Sequence, residues 1–375
     1  MTTRSPATVP PPSLATLTTL KVGGPARRLV RAADEAEIVS AVRAADAAGE
    51  PLLIVGGGSN LLVADAGFDG AVLLIEQAEA ALTPHAAGPG HVDLRVPAGQ
   101  PWDALVAATL RRGWAGLEAL SGIPGLTGAT PVQNVGAYGV EVAQLLLSVR
   151  ALDRETGEVV TLSREALAFG YRDSLLKRTT VGASPRYVVL SVDLRLRESP
   201  LSEPVRYADL ARALGVAVGE RAPAAQVRRA VLALRAAKGM VLDPADADTT
   251  SAGSFFTNPV VDAAAAARLP EGAPRWPVGT GPDARVKLSA AWLIEHAGFG
   301  KGFGLPGSQG PDGVSGFDVA QGRASLSTKH ALALTNRGGA SAADLLALAR
   351  TVRDGVERRF GVRLEPEPLL VGCRL

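Results

Sequence analysis

The chemistry open to this 375-residue chain is concentrated in a few short stretches. SAGSFFTNP (251–259) sets Ser254 between small residues and two phenylalanines, with Asn258 ahead of Pro259. Its hydroxyl either satisfies a neighbouring N–H in a turn or carries chemistry, such as giving up a proton. FGYRDS (169–174) groups Tyr171, Arg172 and Asp173 after an aromatic. Arg172 reads as one half of a salt bridge with Asp173 or another nearby acid, or as the cation of a site. LEPEP (364–368) offers Glu365 and Glu367, which period-two alternation puts on one side of a strand. These two are exposed edge carboxylates on one reading and site acids on the other.

Two glycine-rich stretches add a different chemistry. VGGGSN (55–60) follows the apolar run PLLIV. A dinucleotide fingerprint would need a glycine three places after Gly58; the chain has Leu61 there, and LLVADAG is no long helix. What survives is a nest: Gly56, Gly57 and Gly58, then Ser59 and Asn60, let backbone N–H groups approach an anion without Cβ interference. SGIPGLTGATPVQNVGAYG (121–139) supplies Gly122, Gly125, Gly128, Gly136 and Gly139. Each stretch alone reads as tight turns; together they suit the long pyrophosphate of FAD, gripped from two sides. No Ser-His-Asp set, P-loop or metal triad competes. The four histidines show no zinc spacing, and His85 and His91, around AAGPGH, are expected in a loop. The single cysteine, Cys373, excludes an internal disulfide and fits a reducing compartment.

The elements that must position these groups follow from periodicity. Ile38, Val39, Val42 and Ala45 recur at helical spacing before Gly49. PLLIV and VLLIE (72–76) read as strands that close a first α/β part. HVDLRV alternates, WDALVAATLRRG carries a helical apolar face, and LLLSVRALDRETGEVVTL reads as two strands around Gly157. VVLSVDLRLR (188–197) alternates throughout, and RESPLSEP is a loop. A long helix begins at Ser341, with Asp344 as capping-box partner, and stops at Gly361 before a final strand, VRLEPEPLLVG. The expected division is a disordered tail (1–13), a first flavin-binding part (14–78), a second (79–238) to which strand 361–375 returns, and a substrate domain (239–360). Composition is that of a globular enzyme: 47% hydrophobic, 20% charged, net charge +2. That balance offers no general basic field for nucleic acid. No apolar run reaches membrane-span length, and MTTRSPATVPPPS has no hydrophobic core of a secretory signal, so the cytoplasm is expected.

In order and spacing, VGGGSN, IPG…PVQNVGAYG, FGYRDS, GSFFTNP, VKLSAAWLIE and LEPE resemble one family across residues 14–373. That family is the UDP-N-acetylenolpyruvoylglucosamine reductases of peptidoglycan precursor synthesis, on which cell shape and division depend. The resemblance implies an α+β architecture: a two-part FAD-binding fold of the vanillyl-alcohol-oxidase-like (PCMH) type, plus a smaller α+β substrate-binding domain. It implies non-covalent FAD reduced by NADPH, hydride passing on to the enolpyruvyl ether of a UDP-sugar, UDP-N-acetylmuramate as product, and a monomer without a metal. By the same resemblance Ser254 is the proton donor, Arg172 the partner of the substrate carboxylate, and Glu367 the acid beside the enolic intermediate. Gly56–Asn60, Ser121, Gly122, Ile123, Pro124, Gly125, Asn134, Gly136, Ala137, Tyr138, Gly139 and Arg235 would hold FAD. Tyr171, Lys238, Asn258, Lys287 and Glu295 would line the substrate pocket, lysines toward the diphosphate. The insertion RESPLSEPVRYADL marks the form with an extra loop, Tyr207 being its lid tyrosine. Where relatives often read LEPEVR, this chain reads LEPEPL, so Pro368 and Leu369 remove an arginine and a strand N–H beside Glu367. Another non-covalent flavin oxidase of the same fold is the alternative, and a silent FAD-binding module a further one.

Overall fold

The computed structural model describes residues 12–77, 82–281 and 284–375. Most of the expected tail therefore lies outside the described residues, as does the expected boundary at 78/79. Ser13, assigned to that tail, is instead paired with Pro25 and caps the 3-10 turn Leu14–Leu17.

The first layer is a parallel sheet in the order Ala26–Ala32, Phe68–Ile75, Leu52–Val55. Helix Glu35–Ala47 covers it, started by Asp34, whose carboxylate accepts from the N–H of Glu37, and followed by Gly49 at φ +61°. Its buried face is Ile38, Val42 and Ala45, with Val39 half-buried beside them. Leu152, Val188 and Leu190 of the next sheet enter the same cluster, so the first two layers share one core.

That next sheet is antiparallel, running Glu158–Ser163, Leu146–Asp153, Tyr187–Glu198, His91–Pro97, Pro84–Ala86. Helix Trp102–Arg111 packs on it through Trp102, Leu105 and Val106, and Trp102 Nε1 donates to the Leu120 carbonyl at 3.0 Å. His85 and His91 are not loop residues: each lies in a strand, on either side of the 88–90 turn. The segment after RESPLSEP forms two helices, Ala208–Leu214 and Ala224–Ala237, with a small core of their own.

The third layer is built by residues 251–364 around Phe255, Phe256, Phe299, Phe303 and the long helix Ala342–Phe360. Ser341 and Asp344 form the expected capping box, and Gly361 ends the helix at φ +65°. Leu20, Val22 and Leu62 join this core from the N-terminal part. Asp65 adds a polar tie: its carboxylate accepts from the N–H groups of Ala342 and Ala343, at 2.7 and 3.0 Å. Helix N-termini carry unsatisfied donors and a partial positive charge, so a carboxylate there is stabilising.

Two expectations about the C-terminus are corrected. The strand is only Leu369–Val371, and it pairs in parallel with Leu61–Val63 of the first part, not with the second. Residues 362–368 are irregular because Pro366 and Pro368 lack an N–H for a ladder, leaving one bridge, Phe256 to Pro366. Glu365 and Glu367 consequently part company, with side chains 70% and 19% exposed.

Candidate active site

The two glycine stretches meet. A Cβ on Gly57 would lie 2.7 Å from Gly125 Cα, one on Gly58 would lie 1.8 Å from the Leu17 carbonyl, and Gly58 has φ +58°. Only glycine allows the first loop to sit this close to the second. Ser59 Oγ donates to the Pro124 carbonyl at 3.4 Å across the seam. Among the described residues, the N–H groups of Gly57, Gly58, Ser59, Asn60, Ile123 and Gly125 donate to no hydrogen bond. Such a set of free donors on two facing loops fits a diphosphate bridge. Arg235 lies behind Gly122, its Nε buried with no partner among the described residues and its pKa lowered by burial. These features fit FAD.

The rest of the 121–139 stretch is tied rather than free. Ser121 Oγ donates to the Glu118 carbonyl, and Gly122 N–H to Asp103. Asn134, at φ +43°, spends its amide on Glu141, Gly170 and Ala143, shaping the loop. Gly136 and Ala137 pair with Val140 and Glu141 in a hairpin whose turn is Tyr138–Gly139.

The hairpin positions Arg172. The Gly136 carbonyl accepts from Arg172 Nη2 at 3.0 Å, while Arg172 Nε donates to Glu367 Oε1 at 2.8 Å. Of the partners expected for Arg172, Asp173 or another nearby acid, it is the second that holds, with Glu367, while Asp173 pairs with Arg178. Arg172 has φ +54°, a left-handed conformation that costs a non-glycine residue on the order of 1–3 kcal/mol. Glu367 is held through its backbone: its N–H donates to the Phe255 carbonyl at 2.8 Å. Its carbonyl accepts from Gln133 Nε2 at 2.9 Å and Asn60 Nδ2 at 3.5 Å. Pro368 does no harm here, because the ladder begins one residue later, with Leu369 N–H on the Asn60 carbonyl. Burial pushes the Glu367 carboxyl up, against the opposing pull of Arg172 and Lys177.

Ser254 ends the strand Ser251–Ser254, one residue before Phe255, the backbone partner of Glu367. Its hydroxyl makes no hydrogen bond among the described residues. Gly253 beside it has φ +73° and open space where a Cβ would be. Phe255 and Phe256, buried edge to face at 5.1 Å, anchor the strand from behind.

Tyr171, Asn258 and Lys287 form a second group. The Tyr171 oxygen accepts from Asn258 N–H at 3.3 Å, Asn258 Oδ1 accepts from Ala290 N–H at 2.9 Å, and Lys287 Nζ lies 4.8 Å from the Tyr171 ring centre. Burial raises the Tyr171 pKa. Tyr171, Arg172, Lys177 and Asn258 line an open cleft of about 470 Å³. Three expected residues are not joined to this group by any hydrogen bond or ion pair among the described residues. Lys238 caps helix Ala224–Ala237 and, with Lys301, acts on His330, whose pKa burial and the two cations lower to about 4. Glu295 is exposed on helix Ala290–His296. Tyr207 precedes Ala208–Leu214, half exposed, its ring edge-on to Tyr138 at 5.5 Å. The sequence reading missed Lys177 and Gln133. Both hold backbone carbonyls, and a bond to a carbonyl has no residue-type signature.

Residues 26–163 match the model of an FAD binding domain, and residues 243–371 that of the UDP-N-acetylenolpyruvoylglucosamine reductase C-terminal domain. The chain is 56% identical to a UDP-N-acetylenolpyruvoylglucosamine reductase of Saccharopolyspora erythraea, over 97% of this chain and 95% of that one. It is 55% identical to the Nocardia farcinica reductase of the same name, over 96% and 89%. The crystal structure of the Thermus caldophilus reductase aligns over 96% of this chain and 97% of its own, with a TM-score of 0.60 and 26% identity. Fold and loops together define an FAD-binding oxidoreductase of the expected α+β class. Within that class, the chain belongs to the UDP-N-acetylenolpyruvoylglucosamine reductase family. Among the described residues, no helix is long and apolar enough to cross a membrane.

Proposed function

We propose that this chain reduces the enolpyruvyl ether of a UDP-N-acetylglucosamine to UDP-N-acetylmuramate, with NADPH as reductant, in the cytoplasm and as a monomer. The observation that carries the reading is the junction of Arg172 with Glu367, 195 residues apart in sequence and 2.8 Å apart in space, beside a Ser254 hydroxyl with no hydrogen bond among the described residues. Gly57–Asn60, Ile123 and Gly125, with Arg235 behind, would hold FAD, which would supply the hydride chemistry between NADPH and the terminal carbon of the enolpyruvyl group.

The chain's own residues do the rest. Arg172 presents the planar fork that suits a carboxylate, so the substrate's carboxylate is drawn to the side chain that already meets Glu367. After hydride arrives, negative charge develops on the carbon next to that carboxylate and spreads into it. A largely enclosed Glu367 whose pKa is raised is suited to remain protonated and donate a hydrogen bond to that charge. Ser254 Oγ, which makes no hydrogen bond among the described residues, gives its proton to the carbon. Tyr171, Asn258 and Lys287 line the path of the UDP portion, Lys287 as the cation for diphosphate. Tyr207 stands at the edge as the closing tyrosine.

The test separates the two halves of the reaction. Purified yellow protein is bleached anaerobically by NADPH, then mixed with the enolpyruvyl UDP-sugar. Colour returning with the sugar in the absence of oxygen is the expected result. Colour returning with oxygen alone, and no response to the sugar, would sink the reading in favour of an oxidase. Ser254→Ala is expected to bleach normally but to form product slower by several orders of magnitude; equal slowing of both halves would make Ser254 structural.

A further inference from the structure

The YRDSLLKR segment carries a cation that none of these roles uses. Lys177 stands on the short helix Leu175–Arg178, and its Nζ donates to the carbonyl oxygen of Arg172 at 2.9 Å. That carbonyl belongs to the residue held at φ +54°. The ammonium is half-buried in the wall of the cleft; burial pushes its pKa down while Asp173 and Glu367 pull it up. Taking a lysine partly out of water is costly unless it is hydrogen-bonded and paired, and here the bond goes to the Arg172 carbonyl with Asp173 and Glu367 nearby. The helix is fixed in turn. Ser174 Oγ donates to the Val132 carbonyl at 2.7 Å and accepts from Lys177 N–H at 3.2 Å, and Asp173 pairs with Arg178. The 121–139 stretch therefore fixes the ammonium, and the ammonium fixes the carbonyl of Arg172.

We propose that Lys177 is a positioning residue for the reaction: its ammonium clamps the Arg172 carbonyl, setting the left-handed backbone that aims the guanidinium at Glu367 and the substrate carboxylate. The proposal rests on the role given to Arg172 above. It assigns Lys177 to the sugar half of the reaction alone, because bleaching by NADPH does not call on an aimed Arg172.

The experiment uses FAD-loaded protein and follows both halves by rapid mixing for wild type, Lys177→Met, Lys177→Arg, Arg172→Lys and the Lys177→Met/Arg172→Lys pair. Lys177→Met is expected to bleach within about twofold of wild type and to regain colour from the sugar about tenfold or more slowly. The sugar concentration for half-maximal rate should change less than the rate itself. Lys177→Arg, which keeps a donor, should recover most of the loss. In the Arg172→Lys background, adding Lys177→Met should cost less than about twofold more, since the clamp has nothing left to aim. Wild-type recolouring in Lys177→Met, equal slowing of both halves, or losses that multiply in the pair would each overturn the proposal. Should Lys177→Met not fold, Lys177→Gln takes its place, and failure of both to fold would assign Lys177 to stability instead. A wild-type protein that ignores the sugar defeats the functional reading first, and this proposal with it.

Discussion

Arg172 and Glu367 hold each other at 2.8 Å, so the protein itself gives each of these charged groups a partner. Because the folded pKa of Glu367 is raised, its protonated form persists above the ordinary carboxylate range. Recolouring by the sugar should therefore slow as pH rises through that folded value, and Glu367→Gln should lower the rate and remove that limb of the profile. His330 titrates the other way. An unfolded histidine takes a proton near pH 6.5, whereas this one resists until about 4, so the unfolded chain binds more protons between those values. Stability should rise with pH across that window. His330→Gln should flatten the acid loss of unfolding free energy, by up to about 3 kcal/mol at the low end of that window, as read from denaturant unfolding at a series of pH values. At this scale the sequence was most legible where a motif is made of side chains with distinct chemistry, as in YRDS, GSFF and LEPE. It was least legible where the partner is a backbone oxygen, as for Lys177 and Gln133, or where charge acts without contact, as for Lys238.

Among the elements, periodic ones were readable because burial imposes a repeat: Ile38, Val42 and Ala45 on a helix, or Val192, Leu194 and Leu196 on a strand. The LEPEP segment was misread because alternation presumes a ladder, and two prolines remove the donors a ladder needs. The glycine loops were readable as an anion cradle but not as neighbours, since contact between Gly57 and Gly125 is a matter of tertiary packing. That contact gives a sharp test. Gly57→Val should push the loops apart and yield a folded protein that loses its yellow colour on gel filtration. The tie from Asp65 to helix Ala342–Phe360 is equally specific. Asp65→Ala should cost about 1 kcal/mol in denaturant unfolding, in the range of a lost helix cap, with little change in the bleaching rate.

Across the whole molecule, the cores cross the borders that composition suggests. Leu20, Val22 and Leu62 belong to the C-terminal core, and Leu152, Val188 and Leu190 to that of the first sheet. Removing residues 369–375 would leave Glu367 in the chain but delete the partner of Leu61–Val63, and FAD retention should fail along with the rate. The pairing also sets an order of manufacture. Asn60 leaves the ribosome early, yet the Glu367 carbonyl it approaches is made 307 residues later. At typical elongation rates that interval is tens of seconds. For all of it the first glycine loop exists without the residues that close it. A chain stalled anywhere between those two residues would thus carry the first glycine loop and none of the activity, and a cell starved mid-synthesis would accumulate chains unable to keep flavin.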